Sequence, residues 1–248
     1  MNLEGKHVFL TGGSGAIGLE LALGLLNAGA SVTIGDMADP DGEWKRRALA
    51  HFEKCDLEKA DDIKRALGAA VEKFGPIDIL IHAAAHQPML LFEDLEFPAW
   101  RRTFAVNVDS FFHLVKGVLP FMKEKGWGRI VSFTSGTFDE GAPAHINYVA
   151  SKAALIGATR VLAKEVGQYG ITVNTLSPGL TKTATSSYHV EEMMKLGHPN
   201  YFDLHIAQQS LKRSLTPKDH VGPTLFLVSD MSAAISGQNL HVDGGKNY

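Results

Sequence analysis

A chain of 248 residues, 45% apolar and with a formal charge of -3, can bury a sizeable core and has no basic excess for nucleic acid or an anionic membrane. The single cysteine, Cys55, excludes an internal disulfide and suits a reducing compartment. No apolar run reaches membrane-spanning length, so a cytoplasmic protein is expected. In chain order, Lys6 to Thr11 reads as a short apolar strand. The turn Gly12-Gly13-Ser14-Gly15-Ala16-Ile17-Gly18 then opens a helix carrying Ile17, Leu21, Leu25 and Leu26, which Asn27-Ala28-Gly29 stops. Ser31 to Asp36 is a second strand and Ala50 to Cys55 a third, with Cys55 read as a small buried residue. Ala60 to Phe74 is an amphipathic helix ended by Gly75-Pro76, and Ile77 to Ile81 a buried strand. A long helical region spans Trp100 to Lys125, a fifth strand Arg129 to Thr134 and another helix Tyr148 to Tyr169. Ile171 to Leu176 and Gln238 to Val242 complete about seven strands. Strands alternating with helices predict one α/β domain over residues 1–248, a doubly wound parallel sheet with helices on both faces.

The first forty residues carry a nucleotide-binding pattern. Strand, glycine turn, helix, strand and acid form the βαβ unit of a Rossmann-type sheet. Glycines admit a pyrophosphate to the backbone, and the helix N-terminus favours its charge. Ser14, Gly15, Ala16 and Ile17 line that turn between Gly12 and Gly18. Asp36 selects the cofactor: a carboxylate at the end of the second strand accepts both ribose hydroxyls and repels a 2′-phosphate. Neighbouring Met37 brings no positive charge, so NAD is expected over NADP. The competing reading makes Asp36 a cap for the next turn.

Tyr148 and Lys152 stand one helical turn apart, with Ser135 thirteen residues before the tyrosine. A phenol beside an ammonium can become a base, because the positive charge favours the phenolate. The serine hydroxyl can hold a substrate oxygen in the same site. Tyr-x-x-x-Lys pairs also decorate many helix surfaces, so the spacing gains its meaning from the rest of the chain.

Those residues, in that order, resemble the short-chain dehydrogenase/reductase family from end to end. Thr11, Gly12 and Gly18 match its glycine signature, with Ala16 replacing the middle glycine and Gly15 just before it. Asp56 matches the acid that contacts adenine, followed by Leu57. The family's Asn-Asn-Ala-Gly is here His82-Ala83-Ala84-Ala85, where His82 can replace part of the lost amide through its ring nitrogens. Asn107, Ser135, Tyr148 and Lys152 match the catalytic tetrad. Pro178-Gly179 matches the turn beside the nicotinamide, Thr181 the hydroxyl for its carboxamide, and His241 to Gly245 the closing strand and turn.

The resemblance implies hydride transfer between a secondary alcohol and NAD, with Tyr148 as general base or acid. Ordinary tyrosine titrates near pH 10, so a working base needs its pKa lowered by roughly 2–3, or about 3–4 kcal/mol. Lys152 and the nicotinamide cation are the expected sources. Lys152 is also expected on the nicotinamide ribose, Ser135 on the substrate oxygen, and Asn107 on a water linking Lys152 to solvent. The chain looks closest to bacterial NAD-dependent secondary-alcohol dehydrogenases. Sugar or polyol dehydrogenases, 3-oxoacyl carrier-protein reductases and a non-catalytic nucleotide-binding homologue are the alternatives.

Substrate contacts are expected from Ser135, Thr137, His145, Tyr148, Leu180 and Tyr188. Residues 181–212 read as a lid, whose Tyr188, Met193, Met194, Leu196, Tyr201 and Phe202 suit an apolar, aromatic or cyclic substrate or, equally, subunit packing. His82, His86, His145, His189, His198 and His205 match no compact ligand motif, so no metal is expected. The helices around Phe104, Phe111, Phe112, Leu155 and Leu162 are apolar on more than one face, and family resemblance implies a homotetramer.

Overall fold

The computed structural model describes residues 1–248 except Leu196, His198 and Tyr248; the side chains of His189 and Glu192 also lie outside the described set. Seven parallel strands form one sheet in the order β3-β2-β1-β4-β5-β6-β7. They are β1 (His7–Thr11), β2 (Ser31–Asp36), β3 (Ala50–Lys54), β4 (Ile79–His82), β5 (Gly128–Phe133), β6 (Ile171–Pro178) and β7 (Asn239–Val242). The order reverses between β1 and β4, where open α/β sheets place their ligands beyond the carboxyl ends of the strands.

Helices α1 (Ala16–Asn27), α2 (Ala60–Phe74), α3 (Phe97–Phe104), α4 (Ser110–Lys125), α5 (Thr137–Glu140) and α6 (Ile146–Val166) are followed by α7 (Ala184–Lys195), α8 (Tyr201–Gln208) and α9 (Val221–Val228). Alternate strand residues feed two cores. Phe9, Leu80, Ile130 and Val173 meet α2, α4 and α6 on one face. Val8, Leu10, Ile79, Ile81 and Val131 meet α1 and α9 on the other. Near-continuous apolar strands are what a sheet covered on both sides requires.

One expected element differs and one was not expected. The region expected as one helix is divided: α3 and α4 are joined by a π-helical turn, Ala105–Asp109. The Ser110 hydroxyl donates to Val106 O at 2.6 Å at this turn. Such an inserted residue often marks a functional position. Sequence reading also missed α9, an apolar segment without a polar face, although Thr216 and Asp219 form a capping box just before it.

Candidate active site

The cofactor cradle begins at Gly12, whose φ of 73° lies in the left-handed region. A Cβ there would stand 2.6 Å from Ala84 N, and one at Gly18 would stand 2.0 Å from Gly12 O. Glycine alone lets this turn close on Ala83–Ala84 and on α1. Ala16, where the resemblance departs, is exposed, so its methyl meets open space. Gly15 caps α1 without a side-chain hydrogen bond, and the first turn carries no acid. Its amides are therefore open to an anion.

At the end of β2, Asp36 accepts from Ser14 N at 3.0 Å and from Met37 N at 2.7 Å, while the Ser14 hydroxyl donates to Ala38 O. The carboxylate thus lies at the glycine turn, and Met37 beside it is exposed. Met37, Lys54, Asp56, Lys59 and Arg65 rim one depression. Sequence reading missed these bases because they come from the end of β3, the residue before α2 and α2 itself. Lys54 is the β3 partner of Asp36, the signal that register would have supplied. Lys59 pairs with Asp56 at 3.0 Å, and Arg65 with Asp62 and Glu53 at 2.9 and 3.2 Å, so acids face both. Leu57 instead packs into the core. These groups fit a dinucleotide: a glycine turn no Cβ could enter, uncapped amides, and a carboxylate in reach of a ribose.

Tyr148 and Lys152 project from α6 toward the carboxyl ends of the strands, and both are buried. Lys152 Nζ donates to Phe133 O at 2.7 Å and lies 5.5 Å from the centre of the Tyr148 ring. Burial pushes the Tyr148 phenol up to about 12, against a smaller pull from the Ser135 hydroxyl. Burial brings the Lys152 ammonium down to about 7. Helical spacing places the pair, and in the free protein burial keeps the phenol protonated; the depressed phenol expected of a working base includes the charge of a bound nicotinamide. Ser135 Oγ accepts from the Thr137 hydroxyl at 2.9 Å and Thr137 N at 3.3 Å, which leaves its own proton to donate.

Asn107, in the π turn, is fully buried. Its Oδ1 accepts from His86 N at 2.8 Å, and its Nδ2 donates to His86 O at 3.1 Å and Ser151 Oγ at 2.9 Å. The side chain ties the loop after β4 to α6. The His82 ring faces α4, fully buried, with Nε2 and Ser110 Oγ 2.9 Å apart. Thr181 likewise turns inward. Its hydroxyl donates to Gly179 O at 3.0 Å and lies 2.7 Å from Nε2 of buried His220, a residue no sequence signal singled out.

Pro178 and Gly179 pack on the final turn, where a Cβ at Gly179 would meet the Asp243 Cα at 2.8 Å. Half-buried Leu180 follows them. His145 precedes α6, with its ring edge-on to Tyr148 at 6.3 Å and Nδ1 2.7 Å from Pro143 O. Just before it, Ala144 holds a φ of 60°, a conformation costly for a residue with a Cβ and typical of functional loops. Ala144 O accepts from Leu90 N at 2.9 Å, which ties this loop to the one after β4.

The segment expected as a lid leaves and returns at one place, since Lys182 N donates to Leu215 O at 2.8 Å. Tyr188, on α7, is 60% exposed. Leu196 and His198 lie outside the described residues, as does the His189 side chain. From α8, His205 approaches Glu140 at 3.5 Å, and Lys246 of the final turn reaches Glu140 at 2.7 Å. Among the described residues no group of three or more His, Cys, Asp and Glu could hold a metal. None of the described helices is long and apolar enough to cross a membrane.

Residues 13–247 match the family model described as enoyl-(acyl carrier protein) reductase. "Short-chain dehydrogenase reductase 5" of Arabidopsis thaliana is 37% identical, covering 98% of this chain and 95% of the relative. A D-beta-hydroxybutyrate dehydrogenase of Rhizobium meliloti (strain 1021) is 30% identical over 97% and 98% of the two chains. Among solved structures, a short-chain dehydrogenase from Leptospira borgpetersenii serovar Hardjo-bovis with bound NAD+ superposes with a TM-score of 0.88 at 30% identity, covering 100% and 94%. An actinorhodin polyketide ketoreductase with NADPH gives 0.88 at 27% identity, covering 98% of each chain. Site geometry, fold and full-length similarity agree: this chain belongs to the short-chain dehydrogenase/reductase family of oxidoreductases.

Proposed function

We propose that the protein is an NAD-dependent dehydrogenase that interconverts a secondary alcohol and its ketone. The observation that carries this reading is the convergence of Ser135, Tyr148 and Lys152 at the same carboxyl edge of the sheet as a glycine turn that Asp36 contacts directly. A bound nicotinamide supplies the hydride acceptor. The chain's own residues do the rest. Ser135 donates its free proton to the substrate oxygen and stabilises charge developing there. Tyr148 takes the hydroxyl proton during oxidation and returns it during reduction. Lys152 holds the nicotinamide ribose and favours the phenolate. Asp36 accepts the adenosine ribose hydroxyls and disfavours a 2′-phosphate, supported by the pairing of Lys59 and Arg65 with acids.

The substrate is of modest polarity and apolar, aromatic or cyclic in character, enclosed by the segment 181–212 with Thr137, His145, Leu180 and Tyr188 around the reacting carbon. Steady-state rates on a panel of secondary alcohols and ketones, each with NAD(H) and NADP(H), test the reading. Turnover with NAD(H) preferred supports it. Equal or better use of NADPH removes the cofactor assignment, and NADH binding without turnover on any alcohol or ketone points to a non-catalytic homologue.

A homotetramer in the cytoplasm completes the proposal. Phe112, Phe121 and Val161 are 57%, 39% and 59% exposed on α4 and α6, an apolar surface suited to a second copy. Light scattering at micromolar concentration tests it, and a monomer mass rejects it.

A further inference from the structure

Two buried polar atoms beneath the catalytic lysine have no hydrogen-bond partner: His82 Nδ1 and Ser132 Oγ. Both residues are 0% exposed. They are register partners on the adjacent parallel strands β4 and β5, so their side chains share one face of the sheet. That face is the one α4 and α6 cover, because Leu80 and Ile130, two residues earlier on each strand, pack there. Leaving a buried donor or acceptor unsatisfied is costly, and the two residues stand opposite each other on neighbouring strands.

Proton bookkeeping fixes which role each atom plays. The Ser110 hydroxyl has one proton and donates it to Val106 O at 2.6 Å. The contact between His82 Nε2 and Ser110 Oγ, 2.9 Å long, must then be donated by Nε2–H. Nδ1 is left as a bare acceptor. Ser132 brings a hydroxyl proton with no acceptor. Lys152 approaches the same place: its Nζ donates to the carbonyl of Phe133, the residue after Ser132, at 2.7 Å. Its charge also disfavours protonation of His82, which burial and that charge together hold at about 3.

We propose that one buried water bridges Lys152 Nζ, Ser132 Oγ and His82 Nδ1, and that His82 is thereby a positioning residue for the catalytic lysine. The water accepts from the ammonium and from the serine hydroxyl and donates to His82. Three partners are what a buried water typically makes. The chain then runs from Lys152 through the water, His82 and Ser110 to the π-turn carbonyl of Val106. It gives the ammonium a second acceptor in a pocket whose burial drives it toward neutrality. The ionisable groups that meet here are His82 from β4, Tyr148 and Lys152 from α6, and His145 before that helix; β5, the π turn and α4 bring only Ser132, Asn107 and Ser110. The proposal rests on the assignment of Tyr148 as the acid–base group only where turnover is measured.

Imidazole 15N NMR of the free protein, with His82 assigned by comparison with His82→Asn, tests the bridge without turnover. One ring protonated at Nε2 and accepting at Nδ1 is expected, unchanged between about pH 5 and 9. Its Nδ1 resonance should move in Ser132→Ala. A Nδ1–H tautomer, or a resonance blind to Ser132→Ala, overturns the proposal. The functional arm measures the acid limb of kcat/KM for alcohol oxidation. Losing an acceptor makes the ammonium neutral more often, so Tyr148 is less depressed and the limb rises. Ser132→Ala and His82→Leu should each raise it by about one pH unit, the size of one hydrogen bond to a charged group. The double variant should shift no further, and His82→Asn should restore much of the limb through its amide oxygen. A fall in thermal stability with an unmoved limb assigns His82 a structural role only and contradicts the proposal.

Discussion

The Lys152 ammonium lies 5.5 Å from the centre of the Tyr148 ring and donates to the carbonyl of Phe133 at 2.7 Å. The two groups proposed to cooperate in proton transfer are thus neighbours, but the lysine is anchored to the sheet. Burial raises the phenol in the free chain, and in the proposed reaction a bound oxidised nicotinamide would add a positive charge that favours the phenolate.

That division predicts ionisation linked to cofactor. Burial holds free Tyr148 at about 12, above the ordinary tyrosine value of about 10. A native pKa above the unfolded one means the folded chain keeps the proton, and the phenolate appears only at higher pH still. At about pH 9 the tyrosinate absorbance difference between the native chain and Tyr148→Phe should be absent without cofactor and present with NAD+. A difference already present in the free protein would contradict the prediction.

Lys152→Ala should lower turnover about 10²–10⁴-fold, because it removes the charge that favours phenolate. It should also weaken NADH binding by about tenfold or more, the worth of roughly 1.4 kcal/mol. Fluorescence titration and steady-state kinetics on one preparation separate the two effects. Unchanged NADH affinity would remove the ribose contact from the account.

Asp36→Ala should narrow the preference for NAD(H) over NADP(H) in kcat/KM by about ten- to a hundredfold, the loss of one or two charge-assisted hydrogen bonds. An unaltered ratio would make Asp36 a cap for Ser14 and Met37, whose amides it accepts at 3.0 and 2.7 Å.

Lys246 joins the final turn to α5 through Glu140 and approaches His205 Nδ1 of α8 at 3.2 Å. Lys246→Met should loosen the segment 182–214, raising the substrate KM about three- to tenfold and speeding limited proteolysis there, with NADH affinity within about twofold. Proteolysis and KM at native values would show that this contact does not hold the segment.

The sheet and the nucleotide turn were legible because each leaves a local mark: apolar runs of strand length, glycines at a forced left-handed turn, an acid closing β2. Strand ends were less legible, because pairing decides them. β6 continues to Pro178 since Ser177 and Pro178 align with His241 and Val242 of β7. The π turn within 97–125 was hidden because one inserted residue barely disturbs a 3.6-residue period. Site residues were readable where a type recurs at fixed spacing, as for Tyr148 and Lys152. The inward turn of Thr181 onto His220, and of His82 onto Ser110, depends on partners 39 and 28 residues away that no spacing announces. The acids facing Lys59 and Arg65 temper the basic rim near Asp36, a feature visible only once β2 and β3 are aligned.

Tyr148→Phe tests the central claim most directly, because it deletes one hydroxyl from a buried ring and leaves the fold's contacts in place. On a confirmed alcohol substrate, turnover should fall about 10²–10⁴-fold while NADH binds within about twofold of the native affinity. Near-native turnover by the phenylalanine variant would mean that the proton travels through another group, and would contradict the assignment of Ser135, Tyr148 and Lys152.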